Sequence, residues 1–480
     1  MHSACDQSAL AIRPHTSELA ARWREIGAWR DITLAQALAT AAWQHTGARA
    51  IFHSASRPAV TTVGEMHRRG LALASALQRI GVRQGDCVAL QVPTWIEGAW
   101  LLHAAAALGC TIVPLVHILG PAEVSYILRA AGARIFVTPD RWRNIDYLER
   151  LSKLDHIPTL ERVIVIGEHG PRDAVLWKDL LAAAGGEVQP SAARADDLAV
   201  LLYTSGTTSA PKGVEHSSQT LLAEMHTLQQ ARAEPQAVTL GPWPAGHIAG
   251  LMTILHCALD GAPTIFMDQW DANDAAALIE RHAIRSMSAT PYHLTSLLDA
   301  AATLGHDIGT LYDCLVGATT VPPQLVARCQ ALGLATYRSY GSTEHPTVTT
   351  GHPADPLNAR LSTDGRCTLG NEVRIVDDDG QDVLPGRDGE VVTRGPELFI
   401  GYRDTQTNRQ AFLPGGWFLT GDVGQLDPTG QLTITDRKKD IIIRGGENIS
   451  SRAVEDILLK HPAIADVAAV AMADKALGER

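Results

Sequence analysis

The stretch "LLYTSGTTSAPKGVEHS", residues 201–217, places hydroxyl-bearing side chains on both sides of a glycine and ahead of a lysine. Its apolar start predicts a strand over 198–204 that runs into a loop, and a helix over 217–232 is predicted to follow. Such a loop presents backbone N–H and hydroxyl groups to phosphate oxygens, and Lys212 adds a positive charge. No GxxxxGK[ST] pattern is present, so this is not a Walker A loop. On residue types alone, a phosphate-binding loop and an ordinary surface turn both remain open.

Helix-like and strand-like segments alternate on both sides of this loop. Helical spacing covers 63–81, and such alternation predicts parallel sheets covered by helices. From about residue 371 the pattern changes to short strands joined by Asp, Gly and Pro turns, and a helix followed by a strand is predicted within 450–474. A chain of 480 residues is too long for one core, so two or more domains are expected. Further short strands are predicted at 86–92, 133–139, 162–168, 262–268, 284–290 and 430–436.

The composition argues against several classes of protein. A net charge of −11 disfavours a nucleic-acid or membrane-surface partner. The seven cysteines form no CxxC pair, which fits a reducing compartment, and the first residues do not resemble a secretory signal. The apolar stretch 100–120 contains two histidines and a proline, so a buried helix over 95–108 and a buried strand over 111–117 are predicted there. We therefore expect a cytoplasmic protein without an integral membrane segment.

Further motifs follow the loop, and together with "YTSGTTSAPKGV" (203–214) they resemble the signature motifs of the adenylate-forming (AMP-binding) superfamily. This superfamily includes acyl-CoA synthetases, adenylation domains of peptide synthetases and luciferases, and the resemblance covers nearly the whole chain. It implies an α/β fold, in which helix-covered mixed sheets and a distorted β-barrel subdomain precede a small, incomplete α+β lobe. The motifs are "WPAGHIAGL" (243–251), "VGATTVP" (316–322), "SYGSTEHP" (339–346), "GEVVTRGPELFIGY" (389–402), "GWFLTGDVG" (416–424) and "DRKKDIIIRGGENIS" (436–450).

The resemblance implies a site for ATP and Mg²⁺. Lys212 and Thr343 are expected at the phosphates, and Glu344 at the Mg²⁺ ion, since hard cations favour carboxylate oxygens. Asp422 is expected to accept both ribose hydroxyls, and Arg437 to reach the ribose or a phosphate. A solvated glutamate, a turn aspartate and a surface arginine are the alternatives. The other implied nucleotide-binding residues are Thr204, Ser205, Gly206, Thr207 and Thr208 in the loop, Gly317, Ala318 and Thr319 at the adenine, Tyr340 as a stacking ring or else a core tyrosine, and Gly341, Ser342 and Ile434.

The implied acid pocket contains His247, Gly250 and Thr290, together with residues around 288–294 and 317–319. These side chains are small to medium and mostly uncharged, which favours an apolar, alicyclic or aromatic acid over an amino acid. For His247, a structural histidine is the alternative.

The resemblance also implies the division into domains and the movement between them. The AMP-binding domain is expected over 1–436, with a subdomain boundary near 182–197, and the partial C-terminal lobe over 437–480. Lys439 is the implied hinge of that lobe. Gly445 and Gly446 are implied to line the tunnel for the pantetheine arm of coenzyme A, and a simple turn is the alternative for them.

The implied reaction has two steps. The acid attacks the α-phosphate of ATP to give acyl-AMP and pyrophosphate, with electrostatic stabilisation of the phosphate oxygens, and a thiol then displaces AMP. An acid:CoA ligase is the first interpretation. Loading of a carrier protein and nucleotide binding without catalysis are the alternatives.

The family's small lobe carries one more motif, which bears a catalytic lysine, and no such motif precedes the last residues, "DKALGER" (474–480). Neither Lys460 nor Lys475 lies in a motif of that kind. A fragment or a truncated gene is therefore expected, with loss of activity as a third explanation. Weak pyrophosphate exchange by the 480-residue chain is the corresponding expectation.

Overall fold

The computed structural model describes residues 15–189, 191–204, 211–444, 447–458, 461, 464, 467–474 and 478–479. Within these ranges, two mixed sheets with packed helices are followed by an antiparallel sheet and then by a small C-terminal sheet. The expected α/β architecture is therefore confirmed.

One sheet has nine strands among the described residues, and its centre is parallel. Antiparallel pairing occurs towards the edges, where Arg49–His53 pairs with Ala59–Thr62 and Ala335–Tyr340 pairs with Thr349–Thr350. The central strands are short buried runs, as expected for parallel strands that are covered on both faces. From edge to edge the strands are Arg366–Cys367, Thr349–Thr350, Ala335–Tyr340, Asp313–Val316, Ser286–Ala289, Thr239–Gly241, Thr264–Met267, Arg49–His53 and Ala59–Thr62.

A second sheet has eight strands within the described ranges, and it contains the strand that ends at the hydroxyl-rich loop. The chain returns from that loop as the strand Lys212–Ser217, which corrects the prediction of a loop leading directly into a helix. "KGVEHS" has little apolar periodicity, and pairing with strands on both sides decides its conformation. In spatial order the strands are Gly401–Tyr402, Lys212–Ser217, Leu198–Thr204, Thr111–Pro114, Cys87–Leu90, Ala133–Pro139, Arg162–Ile166 and Val175–Leu176.

The two large sheets share a core. The largest cluster of buried apolar side chains includes Phe52 and Phe266 from the first sheet and Val88 and Ile112 from the second. Strands on both sides of the turn-rich segment 182–197 belong to the second sheet. The proposed domain boundaries themselves stay predictions.

Five antiparallel strands follow, in the place expected for the β-barrel subdomain. They are Glu372–Val376, Gly389–Arg394, Phe412–Leu413, Trp417–Leu426 and Leu432–Arg437. The long strand Trp417–Leu426 pairs with Leu432–Arg437, which sets Asp422 directly opposite Arg437. This register places an acidic and a basic residue of two different motifs side by side.

The helices match the predicted helical segments closely. The apolar segment forms the helix Ile96–Leu108, which ends at Gly109 with a positive φ of 64°, and then the strand Thr111–Pro114. No helix of the described chain is long and apolar enough to cross a membrane. The described α-helices are Ser17–Glu25, Leu34–Gln44, Val63–Arg79, Ile96–Leu108, Pro121–Ala131, Tyr147–Ser152, Trp177–Ala182, Ser218–Ala231, Ile248–Asp260, Ala272–His282, Pro291–Leu304, Pro323–Ala331, Leu357–Ser362, Thr405–Ala411 and Ser451–Leu458.

The C-terminal part forms a small antiparallel sheet of Ile442–Arg444, Glu447–Ile449, Ala473–Asp474 and Gly478–Glu479. The predicted helix within 450–474 is present as Ser451–Leu458. The strand predicted after it is shorter than expected, because only Ala473–Asp474 finds a pairing partner among the described residues.

Candidate nucleotide and acid site

The two ends of the hydroxyl-rich loop lie next to each other. Thr204 ends one strand and pairs in register with Lys212, which begins the next strand. The predictions for Ser205, Gly206, Thr207 and Thr208 fall outside the described residues. Lys212 is exposed to solvent, so its charge is available at the base of this hairpin.

Lys212 and Glu344 meet through a residue that the sequence analysis did not assign. The Lys212 Nζ atom lies 5.1 Å from the ring centroid of Tyr402, within the range of a cation–π contact. The Tyr402 hydroxyl donates a hydrogen bond of 2.6 Å to Glu344 Oε1. Burial and the neighbouring Glu344 carboxylate raise the pKa of Tyr402, so the hydroxyl remains a donor at neutral pH.

The Thr343 and Glu344 backbone is fixed by two hydrogen bonds from other elements. His216 Nε2 donates to the Thr343 carbonyl at 2.8 Å, and the Phe399 N–H donates to the Glu344 carbonyl at 2.8 Å. Burial lowers the pKa of His216 to about 4, so the ring is neutral at pH 7 and faces the Thr220 hydroxyl through Nδ1 at 3.1 Å. The Thr343 and Glu344 segment is therefore attached to the strand that begins at Lys212.

The turn before this segment needs its glycine. A Cβ atom at Gly341 would overlap the backbone carbonyl of Pro346, so no side chain fits there. The Ser342 N–H donates to the His345 carbonyl at 2.8 Å, and Ser342 Oγ accepts from the His345 N–H at 3.2 Å. Gly341 and Ser342 thus shape the turn that carries Thr343 and Glu344.

Asp422 and Arg437, the residues predicted at the ribose, contact each other directly, and Asp422 also contacts Tyr340, which was predicted to stack on the adenine. The Tyr340 hydroxyl donates to Asp422 Oδ2 at 2.7 Å, and Arg437 Nε forms an ion pair with Asp422 Oδ1 at 2.9 Å. Burial raises the pKa of Asp422, whereas Arg437, Tyr340 and Lys439 act in the opposite direction. Tyr340 and Ile434 pack together against a buried apolar cluster of the antiparallel sheet.

The segment predicted at the adenine lies beside Tyr340. Gly317 follows the strand Asp313–Val316, which is the parallel neighbour of the strand that ends at Tyr340. A Cβ atom at Gly317 would lie 3.2 Å from the Ser339 carbonyl oxygen, which leaves little room for a side chain. Ala318 has a left-handed φ of 67°, and both it and Thr319 are exposed to solvent.

Two of the three predicted pocket residues have structural tasks. Thr290 caps the helix Pro291–Leu304, because its hydroxyl accepts the His293 N–H at 3.3 Å. A Cβ atom at Gly250 would overlap the Pro244 carbonyl, so Gly250 allows its helix to pack closely. His247 precedes that helix without capping it, and desolvation lowers its pKa.

An aromatic cluster beside Thr290 combines His293 and Tyr292, which lie in the predicted pocket segment 288–294, with two tryptophans to which the sequence analysis gave no role. The His293 ring centroid lies 4.7 Å from Trp270, 5.5 Å from Trp243 and 5.9 Å from Tyr292. Burial lowers the pKa of His293 to about 4, so this ring is neutral at pH 7. The sequence could have indicated Trp270, which follows the predicted strand 262–268 by two residues, whereas the strand before Trp243, Thr239–Gly241, was not predicted.

The carboxylates of this site suit a metal ion that binds together with the phosphates of a nucleotide, and not one that is coordinated by protein side chains alone. The described residues contain no group of three or more His, Cys, Asp or Glu side chains placed to hold a metal ion. Mg²⁺ commonly takes one or two carboxylates and completes its shell with phosphate oxygens and water. Glu344 suits that role, since Tyr402 contacts both its carboxylate and the Lys212 ammonium group.

The chain belongs to the AMP-binding enzyme family, whose profile matches residues 38–403. It is 33% identical over 474 residues to a medium-chain fatty-acid–CoA ligase of Escherichia coli, which covers 96% of this chain and 82% of that protein. It is also 33% identical over 425 residues to a methyl-dioxo-octahydroindenyl-propanoyl:CoA ligase of Mycobacterium tuberculosis, covering 85% of this chain and 80% of the relative.

A solved structure supports the same conclusion. The o-succinylbenzoate CoA synthetase of Bacillus subtilis in complex with its acyl-adenylate intermediate matches with a TM-score of 0.79 and 27% identity, over 92% of this chain and 86% of that one. The predicted class, an ATP-dependent and AMP-forming acid:CoA ligase, is thereby confirmed, with ATP and CoA as its substrates.

Proposed function

We propose that this ligase activates an apolar carboxylic acid as its acyl-AMP, with Mg²⁺ held by Glu344 and the ribose held by Asp422. One observation carries this proposal. The five consecutive residues 340–344 begin at Tyr340, which donates a hydrogen bond to Asp422, and end at Glu344, which accepts one from Tyr402. The Tyr402 ring in turn contacts Lys212. A single short segment thus joins the group suited to the sugar with the groups suited to the phosphates.

The residues divide the work of the first step. Asp422 and Arg437 orient the ribose, so that the α-phosphate lies near the Thr343 and Glu344 segment. The acid oxygen forms a bond to the α-phosphorus, and the bond to the pyrophosphate oxygen breaks. Lys212 and the Thr343 hydroxyl offset the negative charge on the phosphate oxygens. Bound Mg²⁺ would add Lewis-acid stabilisation of the same oxygens.

The acid that fits the site is uncharged apart from its carboxylate. Burial lowers the pKa of His293 to about 4. His117 interacts with the predicted pocket residue His247 and with Asp268, and burial, together with His247, lowers its pKa to about 4. Neither ring therefore offers a positive charge to a second carboxylate at pH 7. Asp268 Oδ2 accepts hydrogen bonds from Ser54, Trp95 and Trp142, which leaves that oxygen unsuited to a substrate ammonium group. The rings around His293 favour an alicyclic, aromatic or medium-length apolar acid, in line with the substrates named for the two relatives.

The second step involves the C-terminal lobe. Lys439 lies close enough to Asp422 to lower its pKa, so the proposed hinge is next to the ribose group. Gly445 and Gly446, the proposed lining of the pantetheine tunnel, fall outside the described residues. We place the domain boundary at 436/437 and the reaction in the cytoplasm as parts of the same proposal.

The test is a panel of acids supplied with ATP, Mg²⁺ and CoA, with AMP release and acyl-CoA formation as readouts. Cyclohexanecarboxylate, benzoate and octanoate are expected to give acyl-CoA, whereas an amino acid and a dicarboxylate are not. ATP binding without AMP release for any acid would support the non-catalytic alternative. Transfer to a carrier-protein thiol in preference to CoA would contradict the proposed acceptor.

A further inference from the structure

We propose that Tyr402 is a positioning residue that presents the Glu344 carboxylate to the metal and steadies the Lys212 side chain at the phosphates. This inference rests on the proposed function, because it takes Glu344 as the metal-binding carboxylate. It assigns two separate roles to one side chain. The hydroxyl orients the Glu344 carboxylate, and the ring face contacts the Lys212 ammonium group.

Tyr402 is well placed to position other groups, because its own position is fixed from several sides. It pairs with Val214 at the edge of the second sheet. Its backbone N–H donates to Asn408 Oδ1 at 2.7 Å, and its carbonyl accepts from Asn408 Nδ2 at 2.8 Å. The ring lies 4.8 Å from the Phe399 ring and 6.4 Å from the Phe418 ring, within a buried aromatic group.

The Tyr402 hydroxyl orients the Glu344 carboxylate through one of its two oxygens only. A carboxylate has two oxygens, and the Tyr402 hydroxyl occupies Oε1 of Glu344 at 2.6 Å. Oε2 is then available to a cation in a defined direction. Hydrogen bonds of this kind to a metal-binding side chain typically account for about 10–100-fold in metal affinity.

The ring acts on the lysine independently of the hydroxyl. Lys212 is exposed at the start of its strand, and a long exposed side chain samples many rotamers. Contact with the Tyr402 ring at 5.1 Å holds its ammonium group at the end of the hairpin where Lys212 pairs with Thr204. Phenylalanine at position 402 preserves this contact and removes the hydroxyl, whereas leucine removes both.

The experiment measures ATP binding by titration calorimetry over a series of Mg²⁺ concentrations, and AMP binding without metal in the same preparation. For Tyr402→Phe, we expect the Mg²⁺ concentration needed for half-maximal ATP binding to rise about tenfold. AMP binding is expected to stay unchanged, because the ribose group is intact. Tyr402→Leu is expected to weaken ATP binding even without Mg²⁺. The matched control is Tyr337→Phe, which removes another buried hydroxyl, bonded to Asp313 at 3.2 Å, from a neighbouring sheet.

The outcomes separate this inference from the proposed function. A Glu344→Gln variant with an unchanged Mg²⁺ requirement would refute the metal assignment itself. A shifted requirement in Glu344→Gln together with an unchanged one in Tyr402→Phe would overturn only the role of Tyr402. Equal loss of AMP and ATP binding in Tyr402→Phe would show a general structural role and would also overturn it.

Discussion

The site contains two tyrosine–carboxylate pairs that look alike and differ in charge. Tyr402 donates to Glu344 at 2.6 Å, and Tyr340 donates to Asp422 at 2.7 Å. Asp422 also has an ion pair with Arg437, whereas the described residues give Glu344 no ion pair. A hard divalent cation favours an anionic carboxylate oxygen, and Glu344 is the carboxylate of the two without an ion pair among the described residues. The difference between the two pairs therefore supports the proposed placement of the metal at Glu344 and of the ribose at Asp422.

The largest expected effect is that of removing the negative charge of Glu344, which has no ion pair among the described residues. Glu344→Gln keeps the shape of the side chain and a hydrogen-bond partner for Tyr402, but it removes the hard anionic ligand. We expect Mg²⁺-dependent ATP binding to weaken on the order of 100-fold, the upper end of what even supporting contacts to metal ligands contribute. Calorimetric titration with and without Mg²⁺ measures this. AMP binding without metal serves as the internal control and should be unaffected.

Substitution of Asp422, at the proposed ribose site, should weaken nucleotide binding equally with and without Mg²⁺. Asp422→Asn removes the charged acceptor and leaves Arg437 without its partner. AMP and ATP binding are expected to weaken together by about 10–100-fold, since hydrogen bonds to a charged group contribute about 1.5–3 kcal/mol. Asp388→Asn is the matched control, because Asp388 is an exposed carboxylate near the same strands that binds Thr435. A loss confined to the Mg²⁺-dependent part of ATP binding would contradict the assignment.

The two halves should also differ in pH dependence. In our proposal, ionised Asp422 is the stronger acceptor for the ribose hydroxyls, and burial raises its pKa, so AMP binding is expected to weaken as the pH falls through that raised value. Arg437 lowers the pKa of Asp422, so Arg437→Gln raises it further. We expect the acid limb of AMP binding in Arg437→Gln to move to higher pH, with a loss of a few-fold at neutral pH. An unchanged pH profile would show that the ion pair does not tune Asp422.

The smallest expected effect concerns the hydrogen bond that fixes the backbone of Thr343, next to Glu344. His216→Leu removes the donor to the Thr343 carbonyl, which costs about 1–3 kcal/mol if the carbonyl stays buried and unpaired. We expect Mg²⁺-dependent ATP binding to weaken by several-fold, whereas His216→Gln should restore much of it. Substitution of His256, an equally buried histidine that pairs with Asp260, is the control for general destabilisation. Wild-type-like ATP binding in His216→Leu would show that the hydrogen bond to the Thr343 carbonyl does not support Mg²⁺-dependent binding.

The sequence predicted the elements of the fold well, because apolar runs and turn residues are local signals. The strand Ala133–Pro139 and the strand Leu198–Thr204 have the predicted bounds. The strand Lys212–Ser217 was missed, since its sequence has little apolar periodicity and its conformation depends on pairing with Leu198–Thr204 on one side and, on the other, with Gly401–Tyr402, which is almost two hundred residues away along the chain. Long-range pairing of this kind leaves no local pattern.

The site shows the same division. Motifs placed Tyr340, Asp422 and Arg437 among the functional residues, and the structure brings them into contact. Tyr402 stood in a quoted motif without a role, because only the folded chain brings its hydroxyl to Glu344 and its ring to Lys212. Gly250 and Thr290, which the sequence indicated as pocket residues, also serve helix packing and capping, and their place in the acid pocket stays a prediction.

The most direct test is a crystal structure of the chain with Mn²⁺ in place of Mg²⁺ and a non-hydrolysable ATP analogue, with the anomalous signal locating the metal. We predict that the metal coordinates the Glu344 carboxylate directly and that the ribose hydroxyls bind Asp422. A metal bound away from Glu344, or a ribose that does not contact Asp422, would contradict the division of the site into a metal half and a sugar half.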